Sequence, residues 1–370
     1  MAPTVGLNLL YLEPGATGGM EVYARALVPR LPAAWPGARW VAFAGRELAR
    51  EWRAAPWHPA IRLVELPARA ATRVRRTAAE QALLAGAVAR HRIDLLHSLA
   101  STTPLLAPAR TVVTVHDVIY KRHPDAHAGL LSRGMALLVP AAVRRARRVI
   151  TVSHAAAGDL GRFLGVPPDA VDVVALGPGL EPQGPATPEA ELRDRLGTGE
   201  GPLVLSPSAR RPHKNLARLI EAMRGLDATL VLPGYPTPFD EELRERAGGA
   251  RVLFAGWVSD ADLEGLYRAS TCLAFPSLAE GFGLPVLEAM RRGLPVACAD
   301  ATSLPEVAGG AALLFDPTDV GAIRAAVERL LGDEALREDL RRRGRERAAG
   351  FSWDATAAGT VASYRRALAG

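Results

Sequence analysis

The sequence predicts an α/β protein built from two doubly wound domains. Short apolar runs without polar alternation, typical of parallel strands buried on both faces, alternate with helical patterns. This alternation occurs twice, and a stretch rich in Gly, Pro, Glu and Gln at residues 177–188 separates the two series. At 370 residues the chain is long enough for two domains of ordinary size. We therefore predict domains over residues 1–178 and 179–350, and a last helix over 351–370 that crosses back to the first domain.

Seven strands are predicted in the first domain, with a glycine-rich loop and a His-Asp pair. Gly15, Gly18 and Gly19 follow the first strand in a loop that leads into a helix, although their spacing is not a complete G-x-G-x-x-G. His116 and Asp117 follow the fifth strand at its carboxyl end, where open α/β sheets bind ligands. A structural histidine beside a turn aspartate explains the pair equally well. The predicted strands cover residues 4–10, 40–44, 61–66, 93–97, 111–115, 148–152 and 171–176, and the helices lie near 22–31, 71–90, 130–147 and 153–164.

Six strands are predicted in the second domain. Cys272 and Cys298 fall in its apolar strand runs and lack partners at metal-ligand spacing, so we expect buried free thiols in a reducing compartment. No basic segment precedes the first strand of the chain, and no apolar run approaches the ~20 residues of a membrane span, so we expect neither a signal peptide nor a span. The strands cover residues 203–206, 229–232, 251–255, 271–276, 295–299 and 312–315, and the helices 216–224, 240–247, 260–269, 285–292 and 320–331.

The stretch over residues 277–290 is the most informative part of the chain, and it predicts a strand end, a glycine-rich loop and a helix start. Pro285 suits the first helical position because its fixed φ is already helical, which places Leu284 at the N-cap. Leu284 has no side-chain oxygen to cap the first backbone N–H groups. Those donors and the positive end of the helix dipole are therefore available to an external anion. Gly293 is expected to end the helix.

Two glycines and two acids refine this prediction. Gly281 and Gly283 allow an anion to approach the backbone closely. Glu280 precedes the loop and Glu288 lies in the helix, so the anion pocket has a carboxylate on each side. Taken singly, the glycines fit an ordinary strand–loop–helix junction. The whole arrangement favours a ligand that carries both phosphate and hydroxyl groups.

A basic turn follows the first strand of the second domain. Lys214 and Asn215 stand side by side there, although the chain contains only two lysines and two asparagines. A compact ammonium suits a single phosphate contact. Arg210 and Lys214 are both expected to reach a diphosphate held by the loop at 281–284, and to neutralise the charge of a departing phosphate. A basic surface turn is the alternative.

Composition limits the range of partners. The net charge is +6, and basic residues concentrate at 69–92 and 144–148, which suits a phosphorylated ligand or peripheral contact with an anionic membrane. Solvated helix faces explain the same charge. Aromatic residues make up only 5% of the chain, so we expect no nucleic-acid platform. Asp260-Ala261-Asp262 matches a metal-binding D-x-D pattern, but acids in a first helical turn need no metal, and we predict none.

With these segments assembled, the chain resembles the retaining family 4 glycosyltransferases of GT-B fold, which have two Rossmann-like domains and a cleft between them. Residues 280–290, EGFGLPVLEAM, match the E-x7-E element of that family, and residues 212–223, PHKNLARLIEAM, resemble its phosphate-binding lysine helix. One departure is Ser208-Ala209-Arg210-Arg211, which stands where many members have Gly-Arg; of the two arginines we favour Arg210. Further segments that resemble the family, in the same order, are TGGMEVYARAL, VVTVHD, ITVSHAAAGDLGRFLGV, FAGWVSDADLEGLYRAS and SLPEVAGGAALLFDP.

The resemblance implies a role for each matching residue. Glu280 would bind hydroxyls of the donor sugar, and Glu288 would accept hydrogen bonds from the nucleotide ribose. Lys214 and Arg210 would hold the diphosphate together with backbone N–H groups of the loop. His116 would contact the transferred sugar or the acceptor. The other implied donor contacts are Gly19 near the phosphate, Ser208, backbone of Val258 at the base, Gly281, and the N–H groups of Phe282, Gly283 and Leu284.

The predicted reaction is transfer of a sugar from a nucleoside diphosphate sugar to an acceptor hydroxyl, with retention of anomeric configuration and without a metal or cofactor. The acceptor would be a saccharide, a lipid-linked molecule or a small molecule, and the reaction would take place in the cytoplasm or at the inner face of its membrane. Two alternatives stay open. One is an epimerase or phosphorylase of nucleotide or phosphorylated sugars on the same fold, and the other is a non-catalytic protein that binds nucleotide sugars. The intact Lys214, Glu280 and Glu288 argue against the last of these.

Overall fold

The computed structural model describes residues 2–15, 18–55, 58–67, 77–122, 130–181 and 184–369 of the chain. The chain forms two compact units. The first unit comprises Met1–Gly177 together with Ser352–Gly370, and the second comprises Pro178–Phe351. The sequence-based boundary after residue 178 lies one residue beyond this division.

The first unit contains a seven-stranded sheet in the order β3-β2-β1-β4-β5-β6-β7, and all its pairings are parallel. Strand order reverses between β1 and β4, which makes the carboxyl ends of these two strands the switch point of the sheet. Each predicted strand is present. They are β1 (Thr4–Asn8), β2 (Arg39–Ala44), β3 (Arg62–Glu65), β4 (Leu95–Ser98), β5 (Arg110–Thr114), β6 (Arg148–Thr151) and β7 (Val171–Val173).

The helices of the first unit alternate with its strands along the chain, as in a doubly wound sheet. Gly19 is the first residue of a helix, whereas the sequence placed it in the preceding loop; the left-handed Gly18, with φ 60°, makes the turn instead. The predicted helix at 71–90 is described from residue 77, and it includes a π-helical turn at Glu80–Leu84. The α-helices are α1 (Gly19–Leu27), α2 (Leu31–Ala34), α3 (Arg46–Trp52), α4 (Ala85–Arg90), α5 (Ile119–Arg122), α6 (Leu130–Arg145) and α7 (His154–Leu164).

The second unit contains a six-stranded parallel sheet in the order β10-β9-β8-β11-β12-β13. Its strand order reverses between β8 and β11. The strands, all predicted, are β8 (Leu203–Leu205), β9 (Thr229–Pro233), β10 (Arg251–Gly256), β11 (Cys272–Phe275), β12 (Val296–Ala299) and β13 (Leu313–Phe315). The helices are α8 (Glu189–Leu196), α9 (Leu216–Ala222), α10 (Asp240–Arg246), α11 (Asp260–Ala269), α12 (Leu284–Arg292), α13 (Leu304–Ala308), α14 (Val320–Gly332) and α15 (Glu334–Ala349).

The last helix, α16 (Trp353–Ala369), packs within the first unit against α2, β5 and β6. Its Tyr364 is fully buried, and the hydroxyl lies 2.6 Å from Nδ1 of His97, whose Nε2 lies 2.8 Å from the hydroxyl of Thr114. Burial lowers the pKa of His97 to about 3, so its ring is neutral in the folded chain near neutral pH. The helix is therefore held by apolar burial and by a neutral hydrogen-bonded network.

Many of the basic residues have structural partners. Arg145 donates to three backbone carbonyls of residues 105–109, and Arg148 pairs with Asp172 at 2.5 Å. Two basic residues of the segment at 144–148 therefore stabilise the fold. Arg337 donates to the carbonyls that end α14. Such contacts satisfy carbonyls that a helix leaves unpaired at its C-terminus. In the part of the chain that the structure describes, no helix is both long and apolar enough to span a bilayer.

Both cysteines are buried and free, as the sequence predicts. Cys272 lies on β11 and Cys298 on β12. Burial raises the pKa of each thiol to about 12, which keeps both protonated and unreactive at neutral pH.

Candidate functional site

The predicted anion loop joins β11 to α12 at the switch edge of the second sheet. The helix begins at Leu284, and its N-cap is Gly283 with φ 100° and ψ 47°. The sequence-based assignment of Leu284 as the N-cap and Pro285 as the first helical residue was wrong by one position. A glycine is needed at 283 because a side chain disfavours that φ and because a Cβ there would lie 2.5 Å from Leu304. Gly293 ends the helix in the left-handed region, as predicted.

The start of α12 presents backbone donors. No side chain caps this terminus. The N–H groups of Phe282, Gly283 and Leu284 donate to no acceptor among the described residues. Together with the positive end of the helix dipole, such N–H groups form a site for an anion.

Two residues that the sequence analysis missed hold the loop in place. Thr302 accepts a hydrogen bond from the backbone N–H of Glu280 at 3.0 Å. Ser303 is fully buried, and its hydroxyl lies within hydrogen-bond distance of the carbonyls of Phe282, at 2.9 Å, and Glu280. Thr302 has φ 51°, which is a strained conformation for a β-branched residue and one that clusters at functional sites. The only sequence signal was two hydroxyl residues just after β12, the strand beside β11.

Lys214 and Glu280 form the charged centre of the site. Lys214 ends a short 3₁₀-helix, Pro212–Lys214, that follows β8, while Glu280 follows β11, the neighbouring strand. Their side chains meet at 2.6 Å, and only 17% and 11% of them is exposed. The ammonium also lies 5.6 Å from the ring centroid of Phe275. The structure therefore brings together the two residues for which the sequence predicts contacts to phosphate and to sugar.

Asn215 fixes the turn that follows Lys214. It has φ 58° and stands at the N-terminus of α9. Its side-chain amide donates to the carbonyls of Pro276 at 3.1 Å and Pro317 at 2.7 Å. The second rare residue of the His213-Lys214-Asn215 sequence is thus structural, because it ties the turn to the end of β11.

Arg210 has surroundings that differ from those predicted. Its side chain is 1% exposed, donates to Asp240 at 2.8 Å, and reaches the carbonyl of Leu232 at 3.3 Å. Burial works against the charge of Asp240, but hydrogen bonds from Arg210 and Thr237 lower the pKa of that carboxyl below its usual value. Asp240 holds this guanidinium in the structure, and a contact between Arg210 and a diphosphate stays a prediction.

Glu288, the second acid of the predicted pair, is half-buried on α12. Tyr267 donates its hydroxyl to Oε2 of Glu288 at 2.9 Å, and the backbone of Gly179 lies against Oε1 so closely that a Cβ would clash. Burial raises the pKa of Glu288. The carboxyl group therefore contacts the chain segment that opens the second unit as well as the helix beside it.

Asp262 of the D-x-D pattern has structural partners. It accepts a hydrogen bond from Thr187 at 2.6 Å and pairs with Arg195. Ser259 caps α11 by accepting from the N–H of Asp262. No group of three or more potential metal ligands occurs among the described residues.

Ser208 and Val258 lie in turns after β8 and β10. The hydroxyl oxygen of Ser208 is buried and has no partner among the described residues, and the same is true of Ser206 and Ser277 at the ends of β8 and β11. Val258 is half-buried.

His116 and Gly19 lie in the first unit. His116 follows β5, and its Nε2 lies 3.1 Å from the carbonyl of Leu99, which assigns the proton to that nitrogen. The ring packs edge-on against Tyr23 with centroids 4.7 Å apart. Burial lowers the pKa of His116, so a neutral ring is expected. All the other candidate residues lie in the second unit.

Comparison with known proteins gives matches over both units. A family model described as Glycosyl transferases group 1 matches residues 189–347, and one described as Glycosyltransferase Family 4 matches residues 17–178. O-antigen chain mannosyltransferase B of Escherichia coli is 34% identical over 270 residues, covering 69% of this chain and 70% of that protein. Serotype-specific mannosyltransferase WbdA of Escherichia coli is 32% identical over 277 residues, covering 70% of this chain but 34% of that protein.

Solved structures share the architecture. Sucrose-phosphate synthase from Thermosynechococcus elongatus has a TM-score of 0.77 at 23% identity, with 99% of both chains covered. Anabaena HepE, solved in complex with UDP-glucose, has a TM-score of 0.74 at 20% identity, with 98% of this chain and 99% of that chain covered. At such identities the likeness shows the fold alone, and function must be argued from the site.

Proposed function

Because this chain belongs to the group 1 glycosyltransferases and has the GT-B fold, we propose that it transfers a sugar from a nucleoside diphosphate sugar to an acceptor hydroxyl with retention of configuration. The observation that carries the proposal is the meeting of Lys214 and Glu280 at 2.6 Å on two neighbouring strand ends. The two related proteins named above are both mannosyltransferases, which supports mannose as the transferred sugar.

The proposed reaction needs positive charge at the diphosphate. When the bond between the anomeric carbon and the diphosphate oxygen breaks, negative charge grows on the departing group. Lys214 and the N–H groups that begin α12 are held in place before the reaction, and preorganised donors of this kind stabilise the transition state. We propose that they supply this charge without a divalent metal.

The carboxylates are proposed to bind the two hydroxyl-bearing parts of the donor. Glu280 lies beside the phosphate-binding lysine and would accept from hydroxyls of the sugar. Glu288 lies in the second turn of α12. It would accept hydrogen bonds from the ribose hydroxyls, either in place of its hydrogen bond from Tyr267 or in addition to it. Gly281 and Ser208 border the diphosphate, and Val258 the base. For Gly19 and His116 of the first unit, contact with a ligand stays a prediction from the sequence.

The acceptor is proposed to be a saccharide, free or lipid-linked, because one related Escherichia coli protein is an O-antigen chain mannosyltransferase. The exposed basic residues of the first unit, such as Arg144 and Arg147, are compatible with peripheral contact with an anionic membrane. The two buried free thiols favour the cytoplasm as the compartment.

The test is a transfer assay with GDP-mannose and UDP-glucose as donors and a set of mannosides as acceptors, read by nucleoside diphosphate release and by NMR of the product. We expect a new glycosidic bond with the anomeric configuration of the donor, at a rate that EDTA leaves unchanged. A product of inverted configuration would contradict retention. Loss of activity in EDTA would contradict the metal-free mechanism, and product formation without an acceptor would favour an epimerase or phosphorylase.

A further inference from the structure

Two helices begin at the anion loop, residues 280–283, and a third helix packs against them. α12 starts directly after the loop, and α13 starts at Leu304, whose side chain lies against Gly283. α15 packs along α12, where a Cβ added at Gly344 would lie 3.4 Å from Met290. Side chains that α15 directs at these two helices can therefore affect the geometry of the anion loop.

Arg347 of α15 holds the C-terminal end of α13. Its guanidinium donates from Nε to the carbonyl of Val307 at 3.0 Å and from Nη2 to the carbonyl of Glu306 at 2.7 Å. Both carbonyls belong to the last turn of α13, where a helix leaves them without an internal partner. Gly309 ends this helix with φ 54°, and a Cβ there would lie 2.5 Å from Nε of Arg347. Arg347 therefore fixes the position of α13.

The opposite end of α13 contacts the anion loop. Ser303 directly precedes the helix, and its hydroxyl lies 2.9 Å from the carbonyl of Phe282 and 3.1 Å from that of Glu280. Leu304, the first residue of α13, is fully buried beside Gly283. The five residues of α13 span about 7.5 Å, so a displacement at one end of the helix reaches the other. A shift of α13 would therefore move the peptide groups of the loop.

A second connection between Arg347 and the anion loop runs through two aromatic rings. The guanidinium carbon of Arg347 lies 4.7 Å from the ring centroid of Phe351, which is within the range of a cation–π interaction. Phe351 meets the ring of Phe282 edge to face, with centroids 6.0 Å apart and an angle of 77° between the planes. Phe282 is only 6% exposed. Arg347 is thus connected to the carbonyl of Phe282 through α13 and to its side chain through Phe351.

We propose that Arg347 is a positioning residue for the anion loop. The inference rests on the proposed function, of which it uses only the binding of phosphate to this loop. Arg347 acts through α13 and Phe351, which together set the direction of the N–H groups of residues 282–284. Donors of this kind bind an anion well only when they are aligned beforehand, and a small misplacement weakens them. Arg347 keeps them aligned before the diphosphate binds.

The test uses inorganic pyrophosphate as the probe. It is titrated by calorimetry, well below the Tm of each protein, into wild type, Arg347→Met, Ser303→Ala and the double variant. We expect Arg347→Met to raise Kd about tenfold, the loss that follows when a hydrogen bond to a charged group is weakened. Because Arg347 acts partly through Ser303, the double variant should raise Kd by less than the product of the two single effects.

Two further variants of α15 complete the design. Arg347→Lys keeps the positive charge but has no planar fork for two carbonyls, so we expect it to restore only part of the affinity that Arg347→Met loses. Arg343→Met is the matched control. Arg343 lies one turn earlier on the same helix and donates to the carbonyl of Gly310 at 3.0 Å, beyond the end of α13. We expect this control to bind pyrophosphate as wild type does.

The outcomes separate this proposal from the proposed function. A lower Tm with an unchanged pyrophosphate Kd in Arg347→Met would overturn the proposal, because Arg347 would then stabilise the fold alone. Independent effects in the double variant, or an equal loss in Arg343→Met, would overturn it as well. If the variants respond as expected but wild type transfers sugar from no donor, the proposed function fails and the positioning role stands. If pyrophosphate does not bind wild type, both fail.

Discussion

The ion pair between Lys214 and Glu280 leads to a prediction about phosphate binding, because the carboxylate of Glu280 occupies a position beside the ammonium that a phosphate would take. Without a ligand, the carboxylate of Glu280 occupies one side of the ammonium at 2.6 Å. A phosphate that binds Lys214 must displace this carboxylate or lie beside its negative charge. Replacing Glu280 by Gln removes that charge, so we expect Glu280→Gln to strengthen the binding of inorganic pyrophosphate although it weakens catalysis.

The magnitude follows from the geometry. The two side chains are 17% and 11% exposed, so their hydrogen bond is only partly screened by water. The ammonium donates a charge-assisted hydrogen bond to the carboxylate and to the amide alike, but only the carboxylate adds a charge–charge attraction, of about 1–2 kcal/mol for a partly screened pair. The difference of about 1–2 kcal/mol corresponds to pyrophosphate binding that is about 5 to 30 times tighter in the variant.

The assay is calorimetric titration of pyrophosphate into wild type, Glu280→Gln and the control Glu288→Gln. The control makes the same chemical change on an acid that accepts from Tyr267, and pyrophosphate carries no ribose for it to bind. We expect tighter binding in Glu280→Gln alone, together with slower sugar transfer. Equal or weaker pyrophosphate binding by Glu280→Gln would refute the reasoning, as would an equal gain in the control.

Three further predictions concern the same chain. Lys214→Ala should lower the transfer rate by about 10²-fold or more, the usual cost of a lost transition-state contact; near-normal kcat would remove Lys214 from the mechanism. Gly283→Ala should lower Tm more than Gly310→Ala, since both glycines have positive φ but only the first Cβ meets Leu304; equal losses would show no clash. Because burial lowers the pKa of His97 from 6.5 to about 3, its contribution to stability is present above pH 6.5 and falls by up to about 1.4 kcal/mol per pH unit below it. Denaturation of His97→Asn should show a shallower acid dependence than wild type, and equal slopes would contradict this.

The strands were predictable because each is a continuous apolar run that the sheet buries on both faces. The runs at 229–232 and 271–276, for example, correspond to β9 and β11. The start of α12 was harder to predict, because Pro285 suits either of the first two helical positions. The close approach of Leu304, which leaves no room for a Cβ at residue 283, is what favours Gly283 as the N-cap. Element type thus depends on local pattern, whereas the cap depends on a contact 21 residues away in the chain.

The sequence pattern predicted that Lys214 and Glu280 follow strands of one sheet, and the structure brings their side chains together, whereas the ligand contacts of Lys214, Glu280 and Glu288 stay predictions. The ion pair between Arg210 and Asp240 was not predictable, because nothing in the local sequence shows that this arginine pairs with an acid 30 residues later. Thr302 and Ser303 were missed for a similar reason. Their contacts with the loop at 280–282 exist only because β12 lies beside β11 in the sheet.

The central claim is that the second unit binds a nucleoside diphosphate sugar through Lys214 and the N-terminus of α12. Its most direct test is the thermal shift of wild type and Lys214→Ala with a panel of UDP-, GDP-, ADP- and dTDP-sugars. A ligand at 100 times its Kd stabilises the folded state by about 2.7 kcal/mol. We predict that at least one donor raises the Tm of wild type and that Lys214→Ala loses most of that shift. A panel without any shift, or an equal shift in both proteins, would contradict the claim.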